Sequence, residues 1–237
     1  LFPPSLDRDM IQAMAAAGFR TLNLSVGSMS TAQLKRFRRP DVRSAHDQAL
    51  AWAKDAGLSC VSYLIAAAPG QRADDSLADL LDLASRPTLA GLSIFYPAPG
   101  SRDYEMCESL KILPAHFSQM RSTAFPLDHT TSRVQAVTLL RLCRILNYLK
   151  HRVDLGVPLP VPEPAPYGKN NTLGPELDRE TISEKLVQWF LSDAGIRGVD
   201  HDGAVYEHQT DPELCRIFVR AVEARPVEGV CAPGQSP

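Results

Sequence analysis

Apolar positions in the early part of the chain switch between the helical and the strand period, and the switching predicts a repeated helix–strand unit. Met10, Ile11 and Met14 through Ala17 follow the helical period, with Ser5 as candidate N-cap and Gly18 where a left-handed residue closes the last turn. Strict alternation follows: Leu22, Leu24 and Val26 are apolar, while Thr21, Asn23 and Ser25 are polar. Thr31 to Phe37 reads as a short helix, and Val42 to Ala56 as a longer one that Gly57 stops. The apolar, β-rich run from Leu58 ends in the turn Pro69-Gly70, and the polar residues up to Asp75 open a helix marked by Leu77, Leu80, Leu81 and Leu83. A third strand covers Leu89 to Tyr96 and breaks at Pro97-Ala98-Pro99-Gly100. Strand starts near residues 20, 58 and 90 lie about one βα unit apart, which predicts parallel strands joined by helices.

The alternation at 21–26 needs a physical reason. Parallel strands covered on both faces read as continuous apolar runs. A barrel with a wet, ligand-holding interior would turn the leucines outward onto helices and Asn23 and Ser25 inward; the edge strand of an open sheet would show the same pattern. The turns after such strands gather on one rim, where α/β proteins place their binding groups. Beside the first rim lies the basic cluster Lys35, Arg36, Arg38 and Arg39, which reads either as solvated charge at a helix C-terminus or as an anion-binding arginine.

Beyond the third strand the pattern weakens, and residues 101–128 read as an irregular segment. Thr130-Thr131 opens the strongest helix, through Val134, Val137, Leu140, Ile145, Leu146 and Leu149, expected to pack over a sheet edge. In VPLPVPEPAP (Val157 to Pro166) proline stands at every second position, which excludes helix and central strand and predicts a semi-rigid linker. A helix from Asp178, a hairpin at Val199 to His208 turning on Asp202-Gly203, and a helix from Pro212 to Ala224 follow. In that two-residue turn His201 pairs with Ala204, which keeps His201 and His208 too far apart to share a metal. The expected division is 1–152 for the strand-bearing part, 153–177 for the linker and 178–237 for a small C-terminal region.

Composition sharpens this by exclusion. The chain has 237 residues, enough for a sizeable core, and a net charge of -2 gives no global basic surface for duplex nucleic acid. Its five cysteines are widely spaced and form no CxxC or CxxxCxxC, so no local metal or cluster site is expected, and a reducing cytoplasm fits best. No apolar run is long enough to span a membrane. No GxGxxG, GxxxxGK[ST] or GxSxG occurs. The chain opens on Leu1 and its first element begins almost at once, which suggests a fragment of a longer protein.

Three phrases together carry a family resemblance. LNLSVGSMSTAQLKRFRRP (Leu22 to Pro40), YLIAAAPGQRADD (Tyr63 to Asp75) and SIFYPAPGSRDYE (Ser93 to Glu105) resemble, in order and spacing, the fourth, fifth and sixth strands of the radical S-adenosylmethionine (SAM) barrel. The likeness is nearest to bacterial radical SAM proteins with an upstream cobalamin-binding domain, in which the fifth-strand phrase usually reads like ILGLPGQT and a PxPGT turn precedes a tyrosine-containing helix. RSTAF (Arg121 to Phe125) and LLRLCRILNYLK (Leu139 to Lys150) are similar to that group too. The resemblance covers residues 5 to 150 and, more weakly, the hairpin.

It implies an α/β fold: a partial (half) parallel βα barrel of the radical SAM type, truncated at the N-terminus and followed by helices and a small β-hairpin. The implied activity of the parent is reductive cleavage of SAM for radical chemistry or cobalamin-dependent methyl transfer. The implied cofactors are SAM, a [4Fe-4S] cluster held by a CxxxCxxC loop absent from this chain, and cobalamin on an upstream domain; a flavodoxin or ferredoxin would be the reductant. Carried over by position, Asn23 and Ser25 would contact the ribose or the amino-acid end of SAM, Arg39 its carboxylate, Tyr63 the ribose, and Tyr96 would lie near adenine. Without the resemblance, Tyr63 and Tyr96 read as core aromatics. Ala67 stands where the family usually has glycine, and Gly27 where many relatives carry a longer polar side chain. No catalytic residue and no metal ligand is assigned to this chain. The alternative is a degenerate, cluster-free half-barrel that binds a ligand or a protein.

Overall fold

The computed structural model describes residues 1–120, 126–166, 172–173 and 177–230. The RSTAF phrase, part of the expected linker, and the C-terminal tail with Cys231 lie outside the described residues.

Helix α1 (Arg8–Ala16) is capped by Asp7, whose side chain accepts from the Met10 amide, and not by Ser5 as expected. The Ser5 hydroxyl is spent within a tight turn at Pro3–Ser5, donating to the Phe2 carbonyl at 2.7 Å. Strand β1 (Thr21–Gly27), helices α2 (Thr31–Arg36) and α3 (Arg43–Asp55), strand β2 (Ser59–Ala66), helix α4 (Ala73–Asp82) and strand β3 (Leu89–Ile94) then follow within a few residues of the expected bounds. The three strands form one all-parallel sheet in the order β1-β2-β3.

Register separates the sheet into two unlike faces. Leu22 and Leu24 of β1 stand beside Cys60 and Ser62 of β2, and Ser62 beside Ala90 of β3; all are buried against helices, so that each large apolar side chain contributes about 1.5–3 kcal/mol. Asn23 and Ser25 stand beside Val61 and Tyr63, and Tyr63 and Ile65 beside Gly91 and Ser93; none of these is buried. One face of an all-parallel sheet is therefore open, although such sheets normally have both faces covered.

The sheet edges are closed by side devices. The Leu1 nitrogen donates to the Asn23 carbonyl at 2.5 Å, and the Ser25 amide donates to the Leu1 carbonyl at 2.7 Å. At the other edge Asn147 of α6 (Arg133–Asp154) accepts from the Ala90 amide and donates to the Ala90 carbonyl, each at 2.8 Å, as a neighbouring strand would. Packing of α6 on a sheet edge was the sequence expectation. A helix α5 (Arg102–Ser109), capped by Ser101, occupies part of the segment read as irregular. Of its residues only Cys107 is buried, so no apolar period announces it.

Helix α7 (Arg179–Asp193) is capped by Asp178, and α8 (Pro212–Ala224) by Asp211. One buried cluster includes Leu24, Leu80, Leu142, Phe190 and Phe218, so these helices share a core with the sheet. The proline run forms neither helix nor strand, and the Glu163 amide donates to the Gln188 carbonyl of α7 at 3.2 Å. Between β4 (Arg197–Val199) and β5 (Val205–Glu207), Asp200 rather than His201 pairs with Ala204. The Asp200 carboxylate accepts from the amides of Asp202 and Ala204, and Gly203 alone of the turn residues has positive φ, whereas a type I′ turn needs two.

Among the described residues no helix is long and apolar enough to cross a membrane.

Candidate functional site

The open sheet face ends at a rim where β1 is irregular. Between Ser25 and Gly27 the register with β2 shifts, a bulge of the kind that re-aims chain at sites. Gly27 has φ +87°, and a Cβ there would lie 2.6 Å from Arg39 Nη1. The backbone reserves the position for glycine, while a Cβ there would push the end of the Arg39 side chain aside. Arg39 fills the volume above it, donating through Nη2 to Ser25 Oγ at 3.1 Å, with its guanidinium carbon 5.7 Å from the centre of the Phe2 ring. The space that a longer side chain at Gly27 would take is occupied by Arg39.

Tyr63 stands beside Ser25 and lies over Gly91, where a Cβ would come within 2.7 Å of its ring. It is 40% exposed, so the core reading of this tyrosine fails. Asn23, Ser25, Arg39 and Tyr63 are therefore gathered on one open surface. Tyr96 is not among them. Its hydroxyl is buried without a hydrogen-bond partner among the described residues, and burial and the neighbouring Cys107 raise its pKa while Arg133 opposes them.

Two features beneath the rim, Asp79 and Gln71, escaped the sequence reading. Asp79 of α4, 4% exposed, accepts from Ser28 Oγ at 2.5 Å and from the Met29 amide at 3.0 Å, which anchors the loop after β1. Burial pushes its carboxyl up to about 6 against these two hydrogen bonds. Gln71, fully buried, accepts from the Ala68 amide and donates to the Ile65 carbonyl, bracing the turn after β2. In that turn Ala67 has φ +60°, a left-handed conformation that costs an alanine roughly 1–2 kcal/mol. A polar residue beside Leu77, Leu80 and Leu81 was the only sequence signal for Asp79.

Above the rim the end of α2 and the helix α5 enclose a cleft of about 930 Å³. Ile65 and Phe95 line it with Arg36, Arg38, Arg39 and Arg102. Arg36 donates to the Gly70 carbonyl. Asp103 and Glu105 also border the cleft.

Other clusters offer less chemistry. At the hairpin tip Asp200, His201 and Asp202 place ligand atoms within 4.8 Å of one another, but all three are exposed and the Asp200 carboxylate is engaged by two amides. The thiols of Cys60, Cys107, Cys143 and Cys215 are buried, and burial pushes Cys60 up to about 12 and Cys143 and Cys215 up to about 11. They are neutral thiols, and among the described residues no set of them can hold a cluster.

Fold and site together define an α/β protein whose three-stranded parallel sheet carries helices on one face and a polar, arginine-edged surface on the other. No family model matches the chain, and no curated protein matches it. Among solved structures it is similar to the archaeal Methanocaldococcus infernus Elp3 with residues 1–46 deleted, at 16% identity and a TM-score of 0.44 over 60% of this chain. The chain spans 31% of the length of that structure, and a likeness of this size does not by itself establish a shared fold.

Proposed function

We propose that this chain is the far half of a radical SAM-type barrel, whose open sheet face is the wall that holds SAM. The observation that carries this reading is the open face itself, with Asn23, Ser25 and Tyr63 on it and Arg39 across its rim. Bound SAM would supply a 5′-deoxyadenosyl radical or a methyl group in the parent protein. Arg39 would pair with its carboxylate, having no carboxylate partner among the described residues, and Ser25 would orient that guanidinium while Asn23 and Tyr63 met the ribose. Tyr96 leaves the set because its hydroxyl is turned into the protein.

A [4Fe-4S] cluster does not fit the described residues, so its ligands, like a cobalamin domain and the docking surface for a flavodoxin or ferredoxin, would belong to sequence outside this chain. The lack of cluster ligands also favours the second reading, a cluster-free half-barrel that binds a ligand or partner. The in-frame coding sequence upstream separates the two, since a CxxxCxxC followed by further βα units is required by the first.

Binding tests the wall directly. Arg39→Ala should weaken SAM about tenfold or more but leave 5′-methylthioadenosine, which lacks the carboxylate, almost unchanged. No saturable SAM binding, or an equal loss for both ligands, would sink the assignment.

A further inference from the structure

Helix-end electrostatics accounts for only some of the arginines of the cleft. Cations in the last turn of a helix are favoured by its dipole, which covers Lys35 and Arg36 of α2. Arg38 stands directly after the end of α2 and shares that benefit, but the same effect disfavours Arg102, the first residue of α5. Arg38 is also strained. Its φ is +53°, at the position where a helix closes through the Arg39 amide donating to the Leu34 carbonyl at 2.9 Å, and where glycine is the favoured residue. An arginine held in a glycine conformation costs roughly 1 kcal/mol, a cost that Lys111 after α5 and Ala194 after α7 also bear.

Their charges are also unspent. Among the described residues Arg43, Arg86, Arg152, Arg197 and Arg216 pair with carboxylates, whereas Arg36, Arg38 and Arg102 do not, even with Asp103 and Glu105 on the same cleft; Arg20, Arg144 and Arg220 are without a carboxylate too, but scattered rather than gathered on one cleft. Arg36 is tied to a carbonyl, which orients a guanidinium without neutralising it. Like charges converging on a concave surface focus potential on an anion.

We infer that this cleft binds a phosphoryl or diphosphoryl group, with Arg36, Arg38 and Arg102 on its oxygens and the organic body that carries it resting on Ile65 and Phe95. Three guanidiniums offer more donors than the two oxygens of a carboxylate can take, and they match the oxygens of phosphate. The inference goes beyond the cofactor reading and does not depend on it, since the cleft is built wholly from described residues of this chain.

The test titrates the full chain with inorganic pyrophosphate and with a nucleoside diphosphate at about 0.15 M salt, where weak surface attraction is screened. Both should bind saturably, the nucleotide more tightly, and Phe95→Ala should weaken the nucleotide alone. Arg38→Gly should weaken both roughly tenfold or more while raising the thermal midpoint, so loss of binding cannot be loss of fold. Arg102→Gln should weaken both, and Arg220→Gln, on exposed α8 surface, neither. Absence of saturable binding, or unchanged affinity in Arg38→Gly, overturns the inference. Equal affinity of the two probes removes the organic body from it. SAM binding measured on Arg38→Gly and Arg102→Gln should stay intact, so this site and the cofactor wall fail separately.

Discussion

His46 and Asp79 are predicted to cancel each other in the acid range, and single substitutions should expose the cancellation. His46 of α3 is fully buried; its Nε2 lies 2.7 Å from Ser62 Oγ, which lies 2.8 Å from Thr88 Oγ1. Burial, aided by Arg86 and opposed by Asp47 and Asp82, holds its pKa down from 6.5 to about 4. The unfolded chain therefore takes up the proton first, and the stability that His46 contributes above pH 6.5 is lost as the pH falls toward 4. Asp79 has the opposite sign: its pKa is raised from 3.8 to about 6 by burial, with Asp82 and Asp75 adding to the rise. The folded chain protonates first there, and stability is gained as the pH falls from 6 toward 3.8.

Integrated from about pH 7 to about pH 4.5, each group moves the unfolding free energy by about 2 kcal/mol, in opposite directions. Urea unfolding across this range should show Asp79→Asn losing about 2 kcal/mol more than the parent on acidification, and His46→Gln losing about 2 kcal/mol less. The double variant should return to the parental slope. Slopes rather than absolute stabilities carry the result, because each substitution also has a pH-independent cost through its own hydrogen bonds. Indistinguishable slopes in all four proteins would refute the assignment of both groups. Asp79 also holds Ser28 and Met29, so the same titration acts on the loop beneath Gly27 and Arg39.

Two further substitutions test the rim and the sheet edge. Ala67→Gly should stabilise the chain by about 0.5–1 kcal/mol in chemical denaturation, since glycine accepts φ +60° without the Cβ penalty and gives back part of the gain as unfolded-state entropy. Asn147→Ala should leave the Ala90 amide and much of the need of its carbonyl unmet at the β3 edge, costing about 1–3 kcal/mol. Hydrogen exchange at Ala90 should accelerate in that variant, and unchanged protection would show that α6 does not substitute for a strand.

Local pattern was enough to place the three strands, because the alternation of the first, the apolar β-rich run of the second and the glycine and proline stops are properties of the chain alone. It also marked Asn23 and Ser25 as a polar face, but not whether that face would be a barrel wall or an ordinary edge. It missed α5, whose residues are nearly all exposed, and misplaced one hairpin pair because the Asp200 side chain competes for turn amides that no periodicity records.

What only the tertiary structure decided is which distant side chains share a location. Arg39 over Gly27, Tyr63 over Gly91, Asp79 under Ser28 and Asn147 on Ala90 are contacts between elements separated along the chain, and the last of them was invisible until α6 crossed the edge of β3. A residue's type and spacing determine which element it joins. Its burial, its partner and its charge state follow from the neighbours that packing brings, so Tyr63 became surface, the Tyr96 hydroxyl buried, and three arginines part of one cleft.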